Sequence, residues 1–275
     1  MSNHDLESGQ YANGLHKVDS EARNNSLTQT VTLSPEQFER IYLGPKGETA
    51  GDLRKRFANP TPIAICGFAV GLLPLSVEFM GWRASGGTFG TATTTCSIWF
   101  GGLLLIIGGI GEFLLGNSFP CLVFFGYAAH FLTFATTFMP FYGAVAWNAV
   151  EPGNAFEPGP KFSAGFGFYP LALGMLSLVF LLGSLRTNLV FVMIFVCAIL
   201  GFSFASAGLF YGAAGNMASS EMFVKATGGA FFAADMLGWY LLFAIVIAIM
   251  ELPVPDLPVF DLSNVIKARS RAKQE

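Results

Sequence analysis

Charge is scarce in this chain. Only 12% of its 275 residues are Asp, Glu, Lys or Arg, against about 25% in an ordinary soluble domain. A net charge of -3 and the lack of a basic aromatic patch argue against a nucleic-acid partner. Histidine and cysteine are also few, at 3 and 4. Cys66, Cys96, Cys121 and Cys197 lie in or beside apolar runs and show no metal-ligand spacing. They read as buried thiols, not as a disulfide framework or a zinc site. No Ser-His-Asp arrangement, Gly-rich phosphate loop or His/Cys cluster occurs, so neither an enzyme nor a cofactor or metal is expected. The "GGIG" at Gly108–Gly111 follows no strand and is no dinucleotide site. No charged-then-apolar leader opens the sequence, so insertion is expected to use the first internal apolar helix.

What is abundant is apolar. Hydrophobic residues make up 53% of the chain, with 29 Phe and 32 Gly. A bilayer crossing needs about 20 mostly apolar residues. Six runs qualify: Pro62–Trp82, Thr95–Leu115, Phe119–Met139, Phe166–Leu185, Leu189–Tyr211 and Gly228–Met250. They are too long and continuous for barrel strands, and a helix satisfies its own backbone in lipid. The expected fold is therefore an all-α integral membrane protein with six transmembrane helices. Residues 1–58 are polar and read as a disordered tail, with a short amphipathic helix at "LSPEQFERIYLG". Residues 59–252 form the membrane domain and 253–275 a second tail.

The cations set an orientation. Arg54, Lys55 and Arg56 precede the first run, and Lys267, Arg269, Arg271 and Lys273 follow the last. Six spans place both termini on one side, and the positive-inside rule makes that side cytoplasmic. Arg186 then falls in a cytoplasmic turn, while Arg83, Lys161 and Lys225 fall outside. The polar, Pro/Gly-rich stretch Asn148–Lys161 reads as an extracellular loop.

Small residues crowd the spans, Gly67, Gly71, Gly101, Gly102, Gly108 and Gly201 among them. They allow backbones to approach closely, either within one bundle or between subunits. Ionisable residues within the spans are costly and each calls for a role. Glu112 suits a structural acceptor for donors in the following turn. Asp235 suits a proton relay or a helix-packing carboxyl. His130 is either a neutral ring bonded to a neighbouring helix or a pH sensor. Glu78 sits near the outer end of the first run, where water can reach it.

The first run opens on "NPTPIAICGFAV". Prolines at 60 and 62 remove amide donors and disfavour helical backbone in the residues before them. The stretch is either a plain Pro-initiated helix start or a helix break facing a wet pore. Asn59, Pro60, Pro62, Gly67 and Phe68 match the signature of the acetate uptake transporters, also called succinate–acetate permeases. The sequence departs from it at Thr61, Ile63, Ala64 and Ile65. "WFGGLLLIIGGIGEFLLGNSF" also resembles that family, through Gly101, Gly102, Glu112, Gly116, Asn117, Ser118 and Phe119. Tyr127 in "FFGYAAHFLTF", the "GSLRTN" turn and "GWYLLFAI" complete a likeness to its fungal branch, running from about Phe57 to Leu262.

The resemblance implies a six-helix protomer with a pore, assembled as a homo-hexamer in the plasma membrane and passing acetate and similar short carboxylates. It implies substrate contact at Asn59, Pro60, Thr61 and Pro62, with open amides near Ile63–Ile65. It also implies an apolar constriction of a Phe, a Tyr and a Leu. These fall on Phe68, Tyr127 and Ala198, so the third position is either smaller here or shifted to Ile199 or Leu200. Glu112 would hold the helices in place, and His130 and Asp235 are structural groups or proton relays. The alternative is an acetate-responsive membrane sensor with little transport. A water channel is disfavoured because only one Asn-Pro pair occurs, where such channels carry two.

Overall fold

A computed structural model describes residues 56–151, 158–263 and 265. The expectations for the far N-terminal tail, its short amphipathic helix and the last residues of the C-terminal tail lie outside the described residues. Six helices are long and apolar enough to cross a membrane. They are α1 (Thr61–Met80), α2 (Thr91–Leu114), α3 (Ser118–Thr137), α4 (Pro160–Ser184), α5 (Leu189–Ala213) and α6 (Met217–Ile249). The fold is all-α: among the described residues the only β pairing is two isolated bridges.

The helices close into a ring. Gly108 of α2 lies against Ala64 of α1, and Gly101 against the Phe131 ring of α3. A Cβ at Gly108 would sit 2.5 Å from that of Ala64, so only glycine permits this approach. The α3–α4 seam is filled by Tyr127 against Phe180, with Tyr127 and Ser177 hydroxyls 3.0 Å apart. The Ser206 hydroxyl of α5 donates to the Gly167 carbonyl of α4 at 2.8 Å. Phe231 of α6 packs on Gly201 of α5, and Gly228 of α6 abuts the Ser76 carbonyl of α1. Many of the glycines noted in the sequence thus have their nearest neighbours within the same chain.

Prolines and glycines explain the irregularities. Pro74 lies inside α1 and offers no amide to the Val70 carbonyl. The Cys96 thiol of α2 donates to that carbonyl at 3.3 Å. Pro170 interrupts α4, whose ladder breaks at Gly167, and the Ser206 hydroxyl serves the carbonyl there. Residues Ser97–Leu104 of α2 are π-helical, a wide turn rare outside functional or strained sites. It lays Gly101 and Gly102 against Phe131 and Leu132 of α3.

Two helices differ from expectation at their starts. α4 begins at Pro160, where proline at the first helical position costs no hydrogen bond. α6 begins at Met217, about three turns before Gly228. Its 33 residues make a rod of about 50 Å, longer than the ~30 Å hydrocarbon core. The first turns carry Ser219, Ser220, Glu221 and Lys225, which precede the start expected at Gly228. Asn216 caps this helix by accepting from the Ser219 amide at 3.1 Å.

The C-terminal chain folds back on the α4–α5 turn. Leu262 donates its amide to the Thr187 carbonyl at 2.9 Å, and the Leu189 amide donates to the Val259 carbonyl at 3.2 Å. Tyr240 of α6 donates to the Pro258 carbonyl at 2.8 Å. The "GSLRTN" turn is thereby fastened to both α6 and the chain end.

Candidate functional site

Three cavities lie along the ring. The narrowest, about 20 Å³, is lined by Phe68, Tyr127, Ala198 and Ile194, with Phe202 and Phe231. That is room for about one water molecule. Three helices that lie far apart in sequence therefore bring Phe68, Tyr127 and Ala198 to one place. Ala198, and neither Ile199 nor Leu200, belongs to this lining; Leu200 is 46% exposed on the outer face. Phe68 packs on Gly238 of α6, where a Cβ would meet the ring at 2.7 Å. The aromatics Phe202 and Phe231, in T-shaped contact at 5.1 Å, were not singled out in the sequence. Their signal was faint: Phe202 follows Ala198 by about one helical turn.

His130, Phe202 and Phe231 also line a second chamber of about 70 Å³. Its other walls include Leu75, Phe134, Phe138 and Phe166. His130 is buried, and its Nδ1 lies 3.0 Å from the Tyr169 hydroxyl. The ring is thus bonded across the α3–α4 seam and packed edge-on to Phe202 at 5.0 Å. The chamber shares Phe79, Phe89 and Val224 with a third, outer cleft of about 670 Å³. Shared lining residues set the three in a row, with volume falling from cleft to chamber to cavity.

Glu78 borders the outer cleft. It is buried, at 4% exposed, and accepts hydrogen bonds from the Thr88 and Thr93 hydroxyls. The expectation of a simply wetted carboxylate is corrected: the loop after α1 folds over it, because a charged group at this depth needs donors.

At the opposite end the Asn-Pro-Thr-Pro element begins α1 directly. The Thr61 amide donates to Asn59 Oδ1 at 3.0 Å, so Asn59 closes a side-chain turn just ahead of the helix, whose N-cap position is Pro60. The amides of Ile63 and Ala64 donate to the Pro60 carbonyl at 3.2 and 3.4 Å. The expected open donors near Ile63–Ile65 are therefore already engaged, since the helical ladder resumes immediately after Pro62. Thr61 is fully buried, and its hydroxyl donates to Glu112 Oε1 at 2.5 Å. Its hydroxyl is committed to α2 and not presented to a ligand, which corrects its expected place in a substrate site. Pro60 is buried against Gly111 of α2. Asn59 and Pro62 are the partly exposed members of the element.

Glu112 completes this clamp. Asn117 Nδ2 donates to its second oxygen at 2.7 Å. One carboxylate thus ties the start of α1 to the α2–α3 turn. Replacing Asn59 by Ala is expected to lower stability by about 1 kcal/mol, the usual net worth of one hydrogen bond, while Asn59→Asp keeps the acceptor for the Thr61 amide. A thermal melt of the solubilised protein reads this, and equal melting temperatures for Asn59→Ala and the parent would refute a stabilising role for that bond.

Asp235 lies in none of the three cavity linings. It is fully buried on α6, between Gly228 and Gly238, which both face α1. Its nearest donor is the indole N–H of Trp239, one turn away, and no well-formed hydrogen bond satisfies either carboxylate oxygen. Asp235 and His130 are thus not brought together, and only His130 meets the path.

The protein "alcS" of Aspergillus fumigatus is 38% identical over 258 residues, covering 93% of this chain and 94% of that protein. "Ammonia transport outward protein 2" of Saccharomyces cerevisiae is 28% identical over 58% of this chain and 54% of its own length. "Acetate transporter protein patA" of Aspergillus clavatus is 27% identical over 66% of this chain and 70% of its own. The solved structure of the bacterial acetate channel SatP has the same fold, with a TM-score of 0.57 and 23% identity over 74% of this chain and 99% of that one. A family model matches residues 45–261, which contain all six helices in full. With its fold, its narrowing path and these relatives in agreement, the chain belongs to the GPR1/FUN34/yaaH family of multi-pass membrane proteins.

Proposed function

We propose that this protein carries acetate and similar short monocarboxylates across the plasma membrane. Both termini are cytoplasmic in this reading, and six copies assemble around their exposed apolar faces. The carrying observation is the row of three cavities with shared lining residues that ends between Phe68, Tyr127 and Ala198. An apolar ring with so little free volume favours a small solute and resists a polyanion. Relatives named for acetate transport and for an acetate channel support the substrate. They also weigh against a sensor that binds acetate without flux.

The test is labelled acetate uptake into proteoliposomes. Flux above empty vesicles is expected, falling as acid length grows. Acetate binding without flux would overturn the reading. A second reading is ammonia, supported by the name of one relative. Ammonium chloride added to the same vesicles would then raise internal pH faster than in empty ones, with no acetate flux.

A further inference from the structure

We propose that Phe89 is an outer gate, a ring that parts the wide cleft from the apolar chamber and is held in place by Glu78. This deepens the transport reading above and rests on it only for what passes. Three side chains line both cavities: Phe79 of α1, Val224 of α6 and Phe89. Phe79 and Val224 sit on long helices. Phe89 belongs to the connection between α1 and α2, so it is the member of the partition that can swing without moving a helix. Its ring lies parallel to that of Phe138, with centroids 6.3 Å apart, and Phe138 is a further wall of the chamber. Gly90 seats the loop directly on that chamber. A Cβ there would stand 2.5 Å from Leu75 and 3.1 Å from Phe134, and both of these line the chamber too.

The backbone at Phe89 is strained. Its φ of 52 lies in the left-handed region, which a bulky residue adopts only where surrounding contacts impose it. Gly87 and Gly90 on either side are also left-handed, at φ 91 and 79. Glycine leaves that region at little cost, so the pair suits a hinge. Glu78 supplies the restraint. Its buried carboxylate accepts from the Thr88 hydroxyl, immediately before Phe89, and from the Thr93 hydroxyl at the start of α2. The Gly90 and Ala92 amides face the same carboxylate. Donors from Thr88 through Thr93 thus converge on one buried acceptor, which would be costly to leave without them. The latch works with Glu78 as a carboxylate throughout, and no proton moves. Loosening the Thr88 bond frees Phe89 to turn into the cleft, whose volume is about 670 Å³.

The experiment reads access to the chamber directly, so it is independent of acetate flux. Thr227 lines the chamber and is 1% exposed, and Thr227→Cys places a thiol of similar size there. Iodoacetamide is added to the full chain in proteoliposomes, and alkylation at position 227 is followed by mass spectrometry beside the four native cysteines. The reagent is larger than the water-sized cavity at Phe68, so the cleft is its route. In this background alkylation is expected to be slow. Phe89→Gly removes the ring and suits the left-handed backbone; it should speed alkylation about tenfold or more, as a loosened local barrier does. Phe89→Trp should keep it slow. Thr88→Val with Thr93→Val leaves the Glu78 carboxylate but removes two of its donors, and should speed alkylation several-fold. Phe141→Ala, at an exposed ring outside all three linings, should change nothing. Equal rates with and without Phe89→Gly would overturn the gate, as would fast alkylation with Phe89 in place. An unchanged rate in the double threonine variant would overturn the latch. Absence of acetate flux alongside the expected rates would instead refute the transport reading and leave the gate standing.

Discussion

Glu112→Ala should leave little folded protein. The carboxylate accepts from Thr61 of α1 and from Asn117 of the α2–α3 turn, and it is fully buried. Its loss strips a partner from two polar groups at a helix start where lipid and protein exclude water. Each such group costs roughly 1–3 kcal/mol, so the pair approaches the few kcal/mol that decide whether a domain folds. Glu112→Gln should be milder, because its amide oxygen can accept from Asn117 while its NH₂ donates to the Thr61 hydroxyl, which accepts as well as donates. The measurement is the melting temperature and the yield of monodisperse protein in detergent. A variant that purifies in normal yield and melts with the parent would show that Pro60 and Gly111 alone hold this end together.

Ala198→Leu should close the path. Ala198 is nearly buried on a cavity of about 20 Å³, and an isobutyl group in place of its methyl takes up that space. Acetate flux is expected to fall about tenfold or more as the cavity loses its room for even one water, and longer acids should fall further. Leu200→Ala, on the outer face, is expected to stay within about twofold, as exposed substitutions usually do. Proteoliposome uptake with both variants at matched protein content decides the matter. Normal acetate flux through Ala198→Leu would move the passage away from Phe68 and Tyr127 altogether.

Six crossings and an all-helical class could be read from the chain because hydrocarbon tolerates only long apolar runs with internally bonded backbone. Glu112 was legible too, as an acceptor for the next turn, since the helix ends there and Asn117 follows at the right distance. The start of α6 was not legible, because Ser219, Ser220, Glu221 and Lys225 look like loop until the helix is seen to extend beyond the bilayer. The loop clamp on Glu78 depends on Thr88 and Thr93, whose placement no period or motif announces. The expected open amides at Ile63–Ile65 failed for a local reason: Pro60 stays near helical geometry, at φ -80 and ψ -20, and its carbonyl takes the amides at once.

By itself the amino-acid order determined how many times the chain crosses and which side chains would be costly there. It also placed an Asn-Pro-Thr-Pro element at the first helix mouth and an Ala where relatives are expected to carry a Leu. Only the tertiary structure decided that Phe68, Tyr127 and Ala198 share one cavity, that His130 meets the path, and that Asp235 does not. Burial cost is a property of one residue in its solvent and can be read locally. Convergence of three helices depends on glycine contacts such as Gly108 on Ala64 and Gly228 on Ser76, which set how each helix is rotated about its axis. No single segment contains that rotation, because it exists only once the ring has closed.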